Sequence, residues 1–237
     1  MFGLNLGVTS SSVSAPVGPA YNFQNALEFD GVNDYMDGGS FSAVGSSTEF
    51  TISVWLNPLV NSENGQFWVF ENYNARDYWF FYPAATYFRL NGTTNQNAWS
   101  YGYDSAGHTG SWTHYVLTRD SSNNIDMYVN GTKQTKVTSN ANSNNVQFRY
   151  FGRRSNGTKH FKGKMDEFIV ANGYCATQQN VTDLYNSGLG VDSSTILTSP
   201  RHYWLFNETT GTTATDSGSQ GNDLTLNNFT GTYWVTH

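Results

Sequence analysis

Two short segments carry the side chains best suited to chemistry. Tyr73-Asn-Ala-Arg-Asp-Tyr-Trp79 and Trp99-Ser-Tyr-Gly-Tyr-Asp104 combine aromatic rings with amides, carboxylates and a guanidinium. Such mixtures suit a saccharide, whose C–H faces stack on rings while its hydroxyls seek hydrogen-bond partners. Alternating aromatics in strands also fill cores, and Trp79 is assigned to packing on that ground. Tyr73, Arg76, Trp99 and Tyr101 are left as the candidate ligand contacts. The five histidines are scattered, with His108 and His114 in separate local contexts, so they do not read as a metal pair. Cys175 reads as a small buried hydrophobe rather than a nucleophile.

The elements that must position these groups are strands. Only 13% of residues are charged and 16% are aromatic, and Gly, Asn, Ser and Thr recur throughout, as in chains of many short strands joined by turns. Twelve Lys+Arg against eighteen Asp+Glu give a net charge of -6, with no basic run, so nucleic acid is not an expected partner. A lone cysteine excludes an intrachain disulfide framework, and stability must come from buried apolar area. No run of about 18 apolar residues suggests membrane insertion, and Met1 to Val8 lacks the basic start of a secretory signal.

Residues 1–20, small, polar and punctuated by Pro16 and Pro19, are expected to form an extended arm. The rest, 21–237, is expected to fold as one domain. Phe50–Asn57 alternates as a half-buried strand, with Ile52, Val54 and Leu56 on one face. Trp112–Thr118 and Ile125–Gly131 predict a hairpin, and Val146–Phe151 and Phe161–Val170 two further strands. One helix is predicted at 178–187, capped by Thr177 and stopped by a left-handed Gly188. Further strand-length apolar runs occupy 202–206, 224–226 and 232–235.

Four segments together resemble the successive signatures of laminin-G-like, concanavalin-A-like jelly-roll domains of the lectin/glucanase superfamily. They are Phe29-Asp-Gly-Val-Asn-Asp-Tyr35, TISVWLNP, SWTHYVLTRDSSNNIDMYVNGT and FKGKMDEFIVANGYCATQQNVTDLYNSG, and they span roughly residues 26–190 in the family's order. The resemblance implies an all-β, two-sheet antiparallel sandwich with one short helix, often a structural calcium, and a face or rim that binds glycans or proteins. A fifth segment, HYWLFNETTGTTATDSGSQGNDLTL, is similar to the stretch that opens such domains, yet here it comes last. A circular permutation follows as the expectation, with residues 201–237 closing the sandwich, either their own or a neighbour's in a swapped homo-oligomer. For calcium, which takes six to eight oxygen ligands, the resemblance points to Asp30, Asp166, Asp216 and Asn222. The same residues could equally serve metal-free Asx turns.

Catalysis is not expected. Retaining glycosidases need two carboxylates about 5 Å apart. The Glu-x-Asp-x-x-Glu strand of laminarinase-type relatives is missing, and Ser105–Trp112 carries Gly107 where a sialidase-type box needs Asp. Six Asn-x-Ser/Thr triplets reflect an Asn- and Thr-rich composition and do not by themselves indicate glycosylation. These observations predict a non-catalytic recognition or structural protein on a virion surface, such as a phage head decoration or tail fibre. It would be assembled in a host cytoplasm, contact other virion proteins and bind host-surface glycans. The alternative is a secreted or cell-surface calcium-dependent lectin.

Overall fold

Short β-branched and aromatic runs cut by Gly, Asn and Asp form seventeen strands and one α-helix among the described residues. The computed structural model describes residues 23–44, 49–59, 66–82, 85–90, 98–102, 108–138, 144–198 and 200–237. The expected arm at 1–20 lies outside them. In chain order the strands are β1 (Asn25–Asp30), β2 (Tyr35–Ser42), β3 (Phe50–Pro58), β4 (Phe67–Asn72), β5 (Asp77–Tyr82), β6 (Ala85–Arg89), β7 (Ala98–Gly102), β8 (Thr113–Arg119) and β9 (Ile125–Val129). They continue with β10 (Thr132–Lys133), β11 (Lys136–Thr138), β12 (Gln147–Phe151), β13 (Lys162–Asn172), β14 (His202–Trp204), β15 (Thr213–Ala214), β16 (Leu224–Asn227) and β17 (Trp234–Thr236), with the helix α1 (Gln178–Tyr185) between β13 and β14.

Two antiparallel sheets stack as a jelly-roll sandwich. The first runs β10-β9-β8-β3-β13-β1-β17, with β14 also on β13; the second runs β11-β7-β6-β5-β4-β12-β2-β16-β15. Strand β13 holds two partners on one edge because it bulges between Asp166 and Ile169. Its first half pairs with β1, Leu27 opposite Met165, and its second half with β14, Phe168 opposite Trp204. Glu167 takes a left-handed φ of 48° at the bulge, where its N–H donates to Asp166 Oδ1. The C-terminal strands enter both sheets: β17 pairs with β1, and β16 with β2. Their side chains Trp204, Phe206, Leu224, Leu226 and Trp234 join Phe148, Phe151 and Phe168 in the inter-sheet core.

The outer face of the first sheet is covered. Val181 and Leu184 of α1 pack with Val116, Ile169, Leu197 and Tyr203 in a second cluster. Strand β3 is therefore buried on both faces rather than half-buried, with Ser53 at 0% and Trp55 at 2% exposure. Trp55 lies beside Phe23, His114 and Tyr185, at ring distances of 5.4, 4.8 and 6.0 Å. The helix starts where Thr177 and Asn180 cap each other, but it ends earlier than expected. Asn186, at φ 45°, supplies the left-handed cap in place of Gly188, an angle Asn tolerates better than most residues.

Among the described residues, no such helix covers the second sheet. Phe67, Val69, Phe70, Trp79, Phe81 and Phe88 point into the core. The alternate positions Trp68, Tyr78, Phe80, Tyr82 and Tyr87 stack on one another across the opposite face, Trp68 on Phe80 at 4.5 Å and Phe80 on Tyr87 at 5.1 Å.

Candidate functional site

On this helix-free face, the turn that joins β4 to β5 stands beside the segment that follows β12. Strand β12 lies between β4 and β2, with Tyr150 opposite both Glu71 and Asp37. The turn is built by Asn72, whose Oδ1 accepts the N–H of Ala75, and by Arg76, which adopts φ 57° and donates its N–H to Tyr73 O. Tyr73 is thereby pushed out to 65% exposure. Opposite it, Arg154-Ser-Asn-Gly-Thr158 folds back on itself through the N–H of Arg154 to Thr158 O and of Gly157 to Arg154 O. The two turns are tied by Ser155 N–H donating to Glu71 Oε2, and the strands behind them by Gln147 N–H donating to Asp77 Oδ2 at 2.8 Å.

Two adjoining depressions result. The larger, about 440 Å³, is lined by Asn72, Tyr73, Asn74, Arg149, Tyr150, Arg154, Ser155 and Asn156. The smaller, about 290 Å³, is lined by Glu71, Tyr73, Arg76, Tyr78, Arg89 and Arg154. Tyr73 and Arg154 belong to both. Glu71 is the one carboxylic acid in either lining. Burial raises its pKa, and the Ser155 hydrogen bond together with Arg154 and Arg153 restrains the rise.

The cations are held by rings. The Arg153 guanidinium lies 3.5 Å from the Tyr35 ring centroid and 4.4 Å from that of Tyr150; Arg149 lies 4.7 Å from Tyr150 and pairs loosely with Asp37 at 3.7 Å. Arg154 sits 5.6 Å above Trp68, and Arg89 donates to the Tyr78 hydroxyl at 2.5 Å. Such an arrangement can stack a sugar ring, hydrogen-bond its hydroxyls and neutralise a negative group.

Of the expected ligand contacts, Tyr73 and Arg76 come together here. Trp99 and Tyr101 pair through their backbone with Phe88 and Thr86, two strands beyond β4's neighbour β5, and their side chains lie outside the described residues. Arg149, Tyr150, Arg153 and Arg154 were missed by the sequence reading. The signal was present in Arg149-Tyr-Phe-Gly-Arg-Arg154, three arginines within six residues of a chain whose net charge is -6.

The expected calcium ligands are divided over three places. Asp30 lies at the end of β1, where its Oδ1 accepts the N–H groups of Val32, Asn33 and Asp34 in a turn. It faces Lys162, whereas Asp166 is four residues further along β13, about 13 Å at 3.3 Å per residue. Asp166 is buried at the bulge, within 2.6 Å of His237 Nδ1, and burial followed by repulsion from Glu167 raises its pKa well above the usual value. Asp216 and Asn222 do meet, but through the N–H of Asn222 on Asp216 Oδ2. Three more donors fill the same carboxylate: His202 Nδ1 and the N–H groups of Tyr203 and Gly218. Donors aimed at the carboxylate oxygens stand where a cation would bind, so these four residues do not fit one calcium shell. Among the described residues, no group of three or more His, Cys, Asp and Glu side chains is placed to hold a metal.

Among the curated proteins none matches this chain. Among solved structures, the chain is similar to a "putative carbohydrate binding protein" from Bacteroides ovatus ATCC 8483, at TM-score 0.63 and 19% identity over 91% of this chain and 62% of that one. Weaker likenesses include the botulinum neurotoxin serotype D ligand binding domain in complex with N-acetylneuraminic acid, at TM-score 0.48 and 15% identity over 70% of this chain and 44% of that one. Another is the binding domain of Paraclostridial Mosquitocidal Protein 1, at TM-score 0.45 and 16% identity over 74% and 47%. The chain thus spans less than two thirds of the length of each. Residues 30–182, more than half of the sequence, match one family model, and with the two-sheet sandwich this places the chain in the concanavalin A-like lectin/glucanases superfamily.

Proposed function

We propose that this protein is a non-catalytic glycan-recognition module that binds saccharide in the double depression between Tyr73 and Tyr150. The observation that carries this is the composition of that one place: an exposed tyrosine, a second ring, amides and guanidinium groups, on the face that no helix covers among the described residues. A sugar needs that combination of apolar faces and fixed polar partners. A glycosidase needs more, because a second carboxylate must stand opposite the first, and among the described residues Glu71 has no carboxylate beside it in either lining. Its acceptor oxygen is also committed to Ser155. Displayed on a virion or secreted to a cell surface, such a module would serve attachment.

Tyr73→Ala tests this. The side chain is exposed, so the melting temperature should stay unchanged while affinity for glycans bound by the parent protein on an array falls about tenfold, the loss of roughly 1–2 kcal/mol of stacking. Equal binding by the variant would remove the depression from the reading, and an array with no bound glycan would remove the function.

A further inference from the structure

We infer that the sugar this cleft takes is an acidic one, whose carboxylate or sulfate is gripped between Arg149 and Arg154. The inference rests on the glycan-recognition reading and adds the substrate class. Five of the chain's seven arginines, Arg76, Arg89, Arg149, Arg153 and Arg154, meet on this one face, although the chain as a whole carries a net charge of -6. Such crowding is opposed by mutual repulsion, which Glu71 and Asp37 offset in part.

Ring stacking fixes the arginines while leaving donors unused. Arg149 Nε and Arg153 Nε are shielded from water and make no hydrogen bond among the described residues, Arg149 Nε lying 3.7 Å from Asp37 Oδ1. Trp68, 95% buried beside Arg154, likewise has an Nε1–H without an acceptor among them. An incoming anion can reach the outer guanidinium nitrogens of Arg149 and Arg154, which line the larger depression, and charge-assisted bonds to them are stronger than those a neutral hydroxyl makes. A planar carboxylate or a sulfate suits guanidinium forks in two-point contact. A nucleic-acid backbone would instead need a long basic track, and the negative remainder of the surface would repel it.

The test is an array carrying sialylated, uronate-containing, sulfated and neutral glycans, followed by titration calorimetry of the best-bound members at low and high salt. Parent protein should prefer the acidic members and lose affinity with salt. Arg149→Gln and Arg154→Gln should each weaken binding about tenfold or more without moving the melting temperature, while Lys133→Gln, on the distant β9–β10 hairpin, should change nothing. Preference for uronates over sulfates, or the reverse, identifies which anion the forks grip. Arg154 is exposed, so its variant remains informative if Arg149→Gln fails to fold. Neutral glycans bound as well as acidic ones, with the arginine variants unaffected, would overturn the acidic assignment and leave the glycan reading intact. Duplex DNA bound more tightly than any glycan would overturn both.

Discussion

Asp216→Asn isolates what the C-terminal segment contributes to the fold. The Asp216 side chain is fully buried, with Oδ1 accepting the N–H groups of Tyr203 and Gly218 and Oδ2 accepting His202 Nδ1 and Asn222 N–H, each at 2.8 Å. Burial alone would raise its pKa, but these bonds, the His202 one largest, bring it below the ordinary value. The carboxylate is therefore ionised at neutral pH, and His202 Nδ1 carries its proton. An amide of the same shape keeps one oxygen and turns an NH2 group toward the other two donors. Two buried donors lose their acceptor, at about 1–3 kcal/mol each, so urea unfolding at pH 7 should show a loss of about 2–6 kcal/mol with an unchanged denaturant slope. The pH dependence has a fixed sign. Because the folded pKa is depressed, the contribution is complete above the unfolded value of about 3.9 and is lost as pH falls through the folded one, so parent and variant should converge in acid. Chelator should not alter the difference. A loss below about 1 kcal/mol would refute the hydrogen-bond account, and a parent protein that chelator weakens to the variant's level would make Asp216 a metal ligand instead.

Deleting residues 201–237 should abolish cooperative unfolding and yield aggregated protein, because it strips one ladder partner each from β1, β2 and the second half of β13 and removes Trp204, Phe206, Leu224, Leu226 and Trp234 from the core. Circular dichroism melts and gel filtration check this, and a soluble truncated chain with an unaltered melt would show that the tail does not complete the sandwich. Gly218→Ala probes the same contact from the outside. Its Cβ would sit 2.5 Å from Arg201 O and from His202 Cα, so calorimetry should find the variant less stable by about 1–3 kcal/mol, and a neutral result would mean that the turn is not pressed on β14.

Much of the first sheet is legible in the sequence because its strands follow simple rules. Phe50–Asn57 and Ile125–Val129 show apolar residues at every second position, and Trp112–Thr118 and the long strand beginning near Phe161 are strand-length apolar runs. Strands β4 to β7 escape this test. Phe67-Trp-Val-Phe70 and Tyr78-Trp-Phe-Phe-Tyr82 are aromatic or apolar at successive positions, since one set of side chains fills the core and the other stacks on the outer face, so no polar alternation remains to mark a strand. The binding face suffers similarly. Tyr73 and Arg76 stand out through local composition, but Arg149 and Arg154 become their neighbours only through the pairing of β12 with β4, some 80 residues apart in sequence, a register that composition does not encode. Asp30, Asp166, Asp216 and Asn222 are not brought together, and sequence could not show this because Asp and Asn close turns and receive main-chain N–H groups as readily as they hold ions.

The two faces of the sandwich are specialised by what the chain lays over them. Helix α1 and the connector that follows it spend the outer face of the first sheet on packing, so the proposed binding site falls on the second sheet. Within that sheet β12 is central, paired on both sides, so Arg149 and Tyr150 stand on a strand that cannot shift without breaking two ladders. The flanking turns are fastened to the same frame by the Ser155–Glu71 and Gln147–Asp77 hydrogen bonds. A ligand therefore meets groups that are largely in place, and little of its binding free energy goes into ordering them. Selectivity among sugars can then be altered at the exposed positions Asn74, Arg76 and Asn156, where a new side chain changes the rim without disturbing the strands beneath.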